Sequence, residues 1–218
     1  PLSFDSALEI GRFRRLINEK FEKKIGKEGM IDFIKKYIYC NEDIAEAIHE
    51  YFLHQYKISK IPHDNRIIIE EYRGEKRYFV FHTLFGRRVN DALSRVFAFA
   101  AANTGGRDVE VGISDNGFFL SGDKINIQKC VELVNPKNLD SLLKESIEKS
   151  EILKRRFRHC AARGLMILRT YKGERKSVGK QQMKSGFILG SVKKISEDFP
   201  ILKEARREVL EDLMDINN

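Results

Sequence analysis

The stretch IIIEEYRGEKRYFVFHTLFGRRVNDALSRVFAFAAANTGGRDVEVGISDNGFFLS, Ile67–Ser121, decides the fold. Its period changes twice. Ile67–Tyr72 and Arg77–His82 are β-branched and aromatic runs joined by Arg73-Gly74-Glu75-Lys76, the pattern of a hairpin. Arg87–Ala102 carries Val89, Leu93, Val96, Phe97 and Ala100 at helical spacing, and Thr104-Gly105-Gly106 ends it. Val109–Ile113 and Phe118–Ser121 return to strand character around Ser114-Asp115-Asn116-Gly117. Asn116-Gly117 is the expected turn pair, because a type I′ turn needs positive φ at both central positions. Strand, strand, helix, strand, strand predicts an antiparallel sheet within an α+β chain.

Upstream, the residues from about Ser3 to Gln55 read as three helices. Ser3 or Asp5 can cap the first, which carries Leu8, Phe13, Leu16, Ile17 and Phe21. Gly26 and Gly29 punctuate the chain before a second with Met30, Phe33, Ile34, Tyr37 and Ile38. Asn41 caps a third, with Glu42 and Asp43 favourable in its first turn and Ile44, Ile48, Phe52 and His49 on its buried side. This part is expected to be winged-helix-like, with KISKIPHDN around Pro62 as a boundary. The expected domains are 1–62, helical, and 63–218, α+β. Downstream, helices are expected at about 126–134, 137–149, 177–196 and 200–214.

The chain's charge is concentrated in Glu151–Lys184. That stretch holds eleven Lys and Arg and two acids, a local charge of +9 against +8 for all 218 residues. Glu151–Tyr171 reads as one helix, with Leu153, Phe157, Cys160, Ala161, Gly164, Ile167, Leu168 and Tyr171 on a buried stripe. Arg155, Arg158, Arg169 and Lys172 flank it on one side, Arg156 and Arg163 on the other, and Gly173 is the expected stop. Arginine suits phosphate because its fork is planar, permanently charged and binds two oxygens at once. The competing reading is a solvated face answered by acids on neighbouring elements. The loop after it adds Arg175, Lys176, Lys180 and the donors Ser177, Gln181 and Gln182, suited to phosphate and sugar oxygens.

A second basic pair, Arg87 and Arg88, sits after Phe85-Gly86 where a strand passes into a helix. The free N–H groups of a helix start attract anions. The alternative is pairing with Glu70, Glu71 or Glu110. Phe85 is either a core residue or a base-stacking one.

Other classes are narrowed. The longest apolar run, Val96–Ala102, is too short to span a bilayer. The N-terminus has no signal-peptide pattern and no initiator Met, as expected for an excised piece or a processed end. Cys40, Cys130 and Cys160 form no metal-ligand spacing, so no metal site is expected, and they fit a reducing, cytoplasmic location. GERKSVGKQ has one residue too many between its glycines for a phosphate loop and Gln181 where a hydroxyl belongs. Glu174-Arg175-Lys176 lacks the upstream acids of a nuclease site. Asp115 is a turn residue or, less simply, a glycosylase-type carboxylate.

Three motifs, FHTLFGRRVNDALSR (Phe81–Arg95), SDNGFFLS (Ser114–Ser121) and RRFRHCAARGLMILRTYKGERKSVGKQQ (Arg155–Gln182), with the tail DFPILKEARREVLEDLMD (Asp198–Asp215), resemble one family. It is the DEAD/H-associated region that follows two motor domains and a winged helix in Lhr-type superfamily 2 helicases, in its archaeal form. The resemblance implies an accessory region that contacts the tracked single strand and couples movement to unwinding. It also implies that single-stranded DNA, RNA:DNA hybrids and the motor domains of the same polypeptide are partners. Matching positions are Phe85, Gly86, Arg87, Arg88, Asn116, Gly117, Arg155, Arg158, Arg163 and Arg169. No catalytic site and no cofactor are expected in this chain; ATP and Mg²⁺ would belong to the motor. Two alternatives stand beside this: a DNA-glycosylase-like repair domain, and a module whose basic helix docks on the motor.

Overall fold

In the computed structural model the four strands pair in the order β1-β2-β4-β3, all antiparallel: β1 Ile68–Arg73, β2 Arg77–His82, β3 Arg107–Ser114 and β4 Gly117–Asp123. The structure describes residues 2–216 except 149, 169 and 176; the side chains of Tyr171 and Arg175 also lie outside the description. Alternation sorts the sheet into two faces. Phe79, Phe81, Phe118 and Leu120 are buried on one, with the Phe81 and Phe118 rings stacked at 4.4 Å. Tyr72, Tyr78, Val80 and Phe119 share the other, more open face.

The hairpin β3–β4 turns one residue earlier than Asn116-Gly117 predicts. Ser114 pairs with Gly117, so the turn pair is Asp115-Asn116 and Gly117 already belongs to the strand. Gly117 has φ +154°, and a Cβ there would run into the Phe81 carbonyl of the neighbouring strand. The glycine serves close strand approach, and the turn is held instead by Ser114 Oγ, which accepts from Asn116 N at 3.2 Å and donates to Gly117 O.

The three expected helices precede the sheet: α1 Phe4–Glu22, α2 Lys27–Ile38 and α3 Glu42–Ile58. Ser3 Oγ accepts from Ser6 N and Asn41 Oδ1 from Ile44 N, so both predicted caps are used. Their core is Phe13, Ile17, Met30, Ile31, Ile34, Ala45, Phe52 and Ile61. The third helix is rotated from the expected stripe: Ala45, His49 and Phe52 are buried, whereas Ile44 is 49% exposed. Tyr37 and Ile38, at the end of α2, are exposed as well.

The chain forms two compact units, Pro1–Ser94 with Gly106–Ile125, and Arg95–Gly105 with Asn126–Asn218. The division does not fall at Pro62. Arg14 Nε donates to Pro62 O and Arg15 pairs with Asp64 at 2.9 Å, so α1 is tied to the segment that leads into the sheet. Three helices followed by a hairpin is the element order of a winged unit, but here the hairpin is half of a four-stranded sheet.

In the second unit lie α5 Ile127–Leu133, α6 Leu139–Glu148, α7 Glu151–Arg163, α8 Val178–Ile195, α9 Pro200–Arg207 and a π-helical segment, Glu208–Leu213. The basic helix is shorter than predicted. It ends at Arg163, with Gly164 N donating to Cys160 O at 2.8 Å and Ile167 N to Ala161 O at 3.1 Å. Leu165 has φ +58°, which no helix continues through. Two-residue strands β5, Thr170–Tyr171, and β6, Glu174–Arg175, follow. Lys172 and Gly173, at φ +50° and +82°, make the type I′ turn between them. Ile167 is still buried, but Leu168 is 41% exposed.

Candidate nucleic-acid interface

Helix α7 is positioned by Leu153, Phe157, Cys160 and Ala161, which are buried, and capped by Ser150 Oγ accepting from Leu153 N. Docking by that stripe leaves two arginine flanks, and they differ. Arg156 and Arg163 converge on Glu208, whose side chain is 5% exposed, with Arg156 Nη1 at 3.5 Å and Arg163 Nη2 in closer contact. Arg163 Nη2 also reaches Cys160 Sγ at 3.3 Å. The carboxylate raises the Arg163 pKa further, and burial, then Glu208, push the Cys160 thiol up. This flank is a structural ion cluster. Arg163, expected to face a ligand, is paired with Glu208 while its side chain stays 60% exposed.

On the other flank Arg155 is exposed and Arg158 half-buried. Among the described residues neither is paired with a carboxylate. The remaining expected residues are not on this helix. Lys172 is exposed at the β5–β6 turn. Lys180 lies exposed in the first turn of α8, where its N–H donates to the capping Ser177 Oγ at 3.4 Å. Arg169, Lys176 and the side chain of Arg175 lie outside the described residues.

Phe85, Arg87 and Arg88 belong to the first unit, α7 to the second. Phe85 is half-buried; Arg87 and Arg88 are exposed. The start of α4, Arg87–Asn103, is not an empty anion site. Asp115 Oδ1 accepts from Arg87 N at 3.2 Å and from Leu2 N at 3.0 Å, filling the place an anion would take. Buried Asn90 braces this corner, donating to the carbonyls of Ser114 and Asp115 and accepting from Thr83 Oγ1 at 2.6 Å. The alternative partners do not serve either: Glu71 binds Arg73 and Arg77, Glu70 binds His82, and Glu110 binds Lys76. Arg87 reaches instead to Ile113 O. Asp115 is accounted for by its hydrogen bonds to the two backbone N–H groups. Among the described residues no cluster of His, Cys, Asp and Glu could hold a metal, and no helix is long and apolar enough to cross a membrane.

The first unit thus carries a four-stranded antiparallel sheet with a capped corner, and the second a basic helix with one arginine flank that has no carboxylate partner among the described residues. The DEAD/H-associated family matches residues 61–218, and the chain belongs to that family. Over the whole of this chain it is 47% identical to the ATP-dependent helicase Lhr-Core of Methanothermobacter thermautotrophicus, and over 99% of it 41% identical to the ATP-dependent helicase Lhr-Core of Saccharolobus solfataricus. It spans 26% of each, about a quarter of the relatives' length. In fold it is similar to the helicase Lhr of Mycobacterium smegmatis, solved bound to single-stranded DNA and AMP-PNP. The TM-score is 0.78 at 21% identity, covering 99% of this chain and 27% of that one.

Proposed function

We propose that this chain is a non-catalytic accessory region of an ATP-dependent helicase, which holds the sugar-phosphate backbone of the tracked single strand and couples movement to unwinding. The observation that carries it is the α7 flank on which Arg155 and Arg158 have no carboxylate partner among the described residues. Lys180 and Lys172 supply further cations in the same unit. ATP hydrolysis and its Mg²⁺ belong, in this reading, to motor domains outside the chain, in a cytoplasmic protein. RNA:DNA hybrids with a single-stranded end would be bound in the same way, because the contacts are to phosphate and not to base edges.

Fluorescence anisotropy of a labelled single strand tests it. The chain binds at low salt, and log affinity falls with log salt by about 0.7 for each phosphate neutralised. Arg155→Glu with Arg158→Glu weakens binding roughly ten-fold or more and flattens that slope by about 1.4. No binding even at low salt overturns the reading.

A second reading is docking on the motor domains. It is favoured by α8, where Met183 and Phe187 are 64% and 74% exposed. If it holds, Phe187→Asp abolishes association with a separately expressed motor and leaves affinity for the oligonucleotide unchanged.

A further inference from the structure

The open face of the sheet carries a row of aromatic rings. Tyr72 on β1 is paired in register with Tyr78 on β2, and their ring centroids lie 6.2 Å apart. Tyr78 meets Phe119 on β4 edge to face at 5.5 Å. The row therefore crosses three adjacent strands. It is not a core: Tyr72 is 62% exposed, and Tyr78 and Phe119 are half-buried. Phe119 lies against β3 at Gly112, where a Cβ would run into its ring. Beyond Phe119 the row opens into a cleft of about 910 Å³ within the first unit, whose other wall is Glu50, Tyr51, His54 and Gln55 of α3 with Arg14 of α1. Arg14 is held in place by Pro62 O at 2.9 Å and Gln55 Oε1 at 3.2 Å.

Three features select the occupant. Rings spaced across a sheet, one exposed and two half-buried, fit flat π-systems better than they fit another helix, which needs a continuous apolar surface. Of the carboxylates on this face, Glu110 is neutralised by Lys76 at 2.9 Å and Glu70 is hydrogen-bonded to His82 at 3.1 Å. The cleft wall supplies a fixed cation, Arg14, and one carboxylate, Glu50, beside amide and hydroxyl groups that suit sugar and base edges.

We infer that this face is a stacking platform for the unstacked bases of a single-stranded nucleic acid, which lie on Tyr72, Tyr78 and Phe119 and lead into the cleft under Tyr51. Aromatics on the open face of a four-stranded sheet bind bases in this manner in other folds, without demanding a particular sequence. The inference deepens the proposed function by adding base contacts to the phosphate contacts of α7, on residues that α7 does not share.

The test uses the whole chain and a labelled oligothymidylate, with a matching strand that has abasic sugars in place of its bases. Tyr72→Ala with Tyr78→Ala weakens oligothymidylate binding about 5- to 150-fold for each base whose stacking is lost. It leaves the salt slope unchanged, because no phosphate contact is removed. The Phe versions of both substitutions retain binding, and circular dichroism of the Ala variant matches the parent. The abasic strand binds the parent chain and the Ala variant equally. Because the chain has no tryptophan, Tyr72→Trp gives a single reporter whose emission is quenched by oligothymidylate and not by the abasic strand. If the Ala variant binds like the parent while the Arg155/Arg158 reversal loses affinity, the platform is refuted and the phosphate reading stands. If the abasic strand binds the parent as tightly as the base-bearing one, the platform is likewise refuted. An oligoribouridylate arm shows whether RNA is taken as well as DNA.

Discussion

The two flanks of α7 carry the same residue type on the same thirteen-residue helix and have opposite fates. On one, Arg156 and Arg163 are drawn onto Glu208, a buried acid supplied by the π-helical segment 45 residues after Arg163. On the other, Arg155 and Arg158 meet no such acid among the described residues. What separates structure from potential function here is not the guanidinium but whether the neighbouring helix answers it. A charge count over the stretch gives both flanks equal weight. The folded chain answers one of them with a carboxylate and leaves the other without one among the described residues.

The sharpest way to break this contrast is at Glu208. Removing one member of a buried ion cluster costs roughly 3–5 kcal/mol when all members are buried, and about 2–3 kcal/mol is expected for Glu208→Gln because the Arg163 side chain is 60% exposed. Urea denaturation measures it, and Arg155→Gln in the same assay changes stability by less than about 0.5 kcal/mol. Equal losses from both would mean that the flanks are not distinct.

Next in size is Glu148, which anchors α8 and α9 through Lys193 Nζ at 2.7 Å and Arg206 Nε at 2.6 Å. Burial works to raise its pKa, but the hydrogen bonds from Arg206 and Lys193 outweigh it and hold the carboxyl below the usual range. A depressed folded value means that the stabilisation is fully present above the unfolded pKa of about 4.3 and is lost as pH falls through the folded one. Glu148→Gln therefore costs roughly 1.5–3 kcal/mol at neutral pH, and the gap from wild type closes in acid. A gap that persists unchanged at low pH would refute the assignment.

Smaller still is the cap of α7. Ser150→Ala removes the acceptor for Leu153 N and costs about 1 kcal/mol, read by thermal melting, without altering the salt slope of oligonucleotide binding. At the first unit, Glu71 titrates at about 2, held there by hydrogen bonds from Arg73 and then Arg77. Arg73→Ala with Arg77→Ala returns it toward 4.3 by NMR titration, with little effect on α7.

The succession of strand, strand, helix, strand, strand was legible because the β-branched and aromatic runs agree with the breakers, and Arg73–Lys76 marks the first turn. Ser3 and Asn41 announced their helices. Three things were not legible. The end of α7 was hidden because Ile167, Leu168 and Tyr171 continue a helical period; Gly164 and the left-handed Leu165 stop the helix, and the type I′ turn at Lys172-Gly173 reverses the chain. Asn116-Gly117 misdirected the turn because the glycine is required by the Phe81 carbonyl of a strand more than 30 residues earlier. The two arginine flanks could be read from 100° spacing, but their fates depend on Glu208, which no local pattern joins to α7. The aromatic row was missed altogether. Its signal was present, since Tyr78 alternates with Phe79 and Phe81 and so falls on the opposite side of the strand.

The stop at Gly164 turns α7 into a short ruler. At 1.5 Å per residue, thirteen residues measure about 20 Å, against about 31 Å had the helix run to Tyr171. Within that length the open flank is only Arg155 and Arg158, three residues or about 4.5 Å apart along the axis, which on the proposed function reaches about two successive phosphates. Lengthening an oligonucleotide beyond a few nucleotides should then draw any added affinity from elsewhere in the polypeptide.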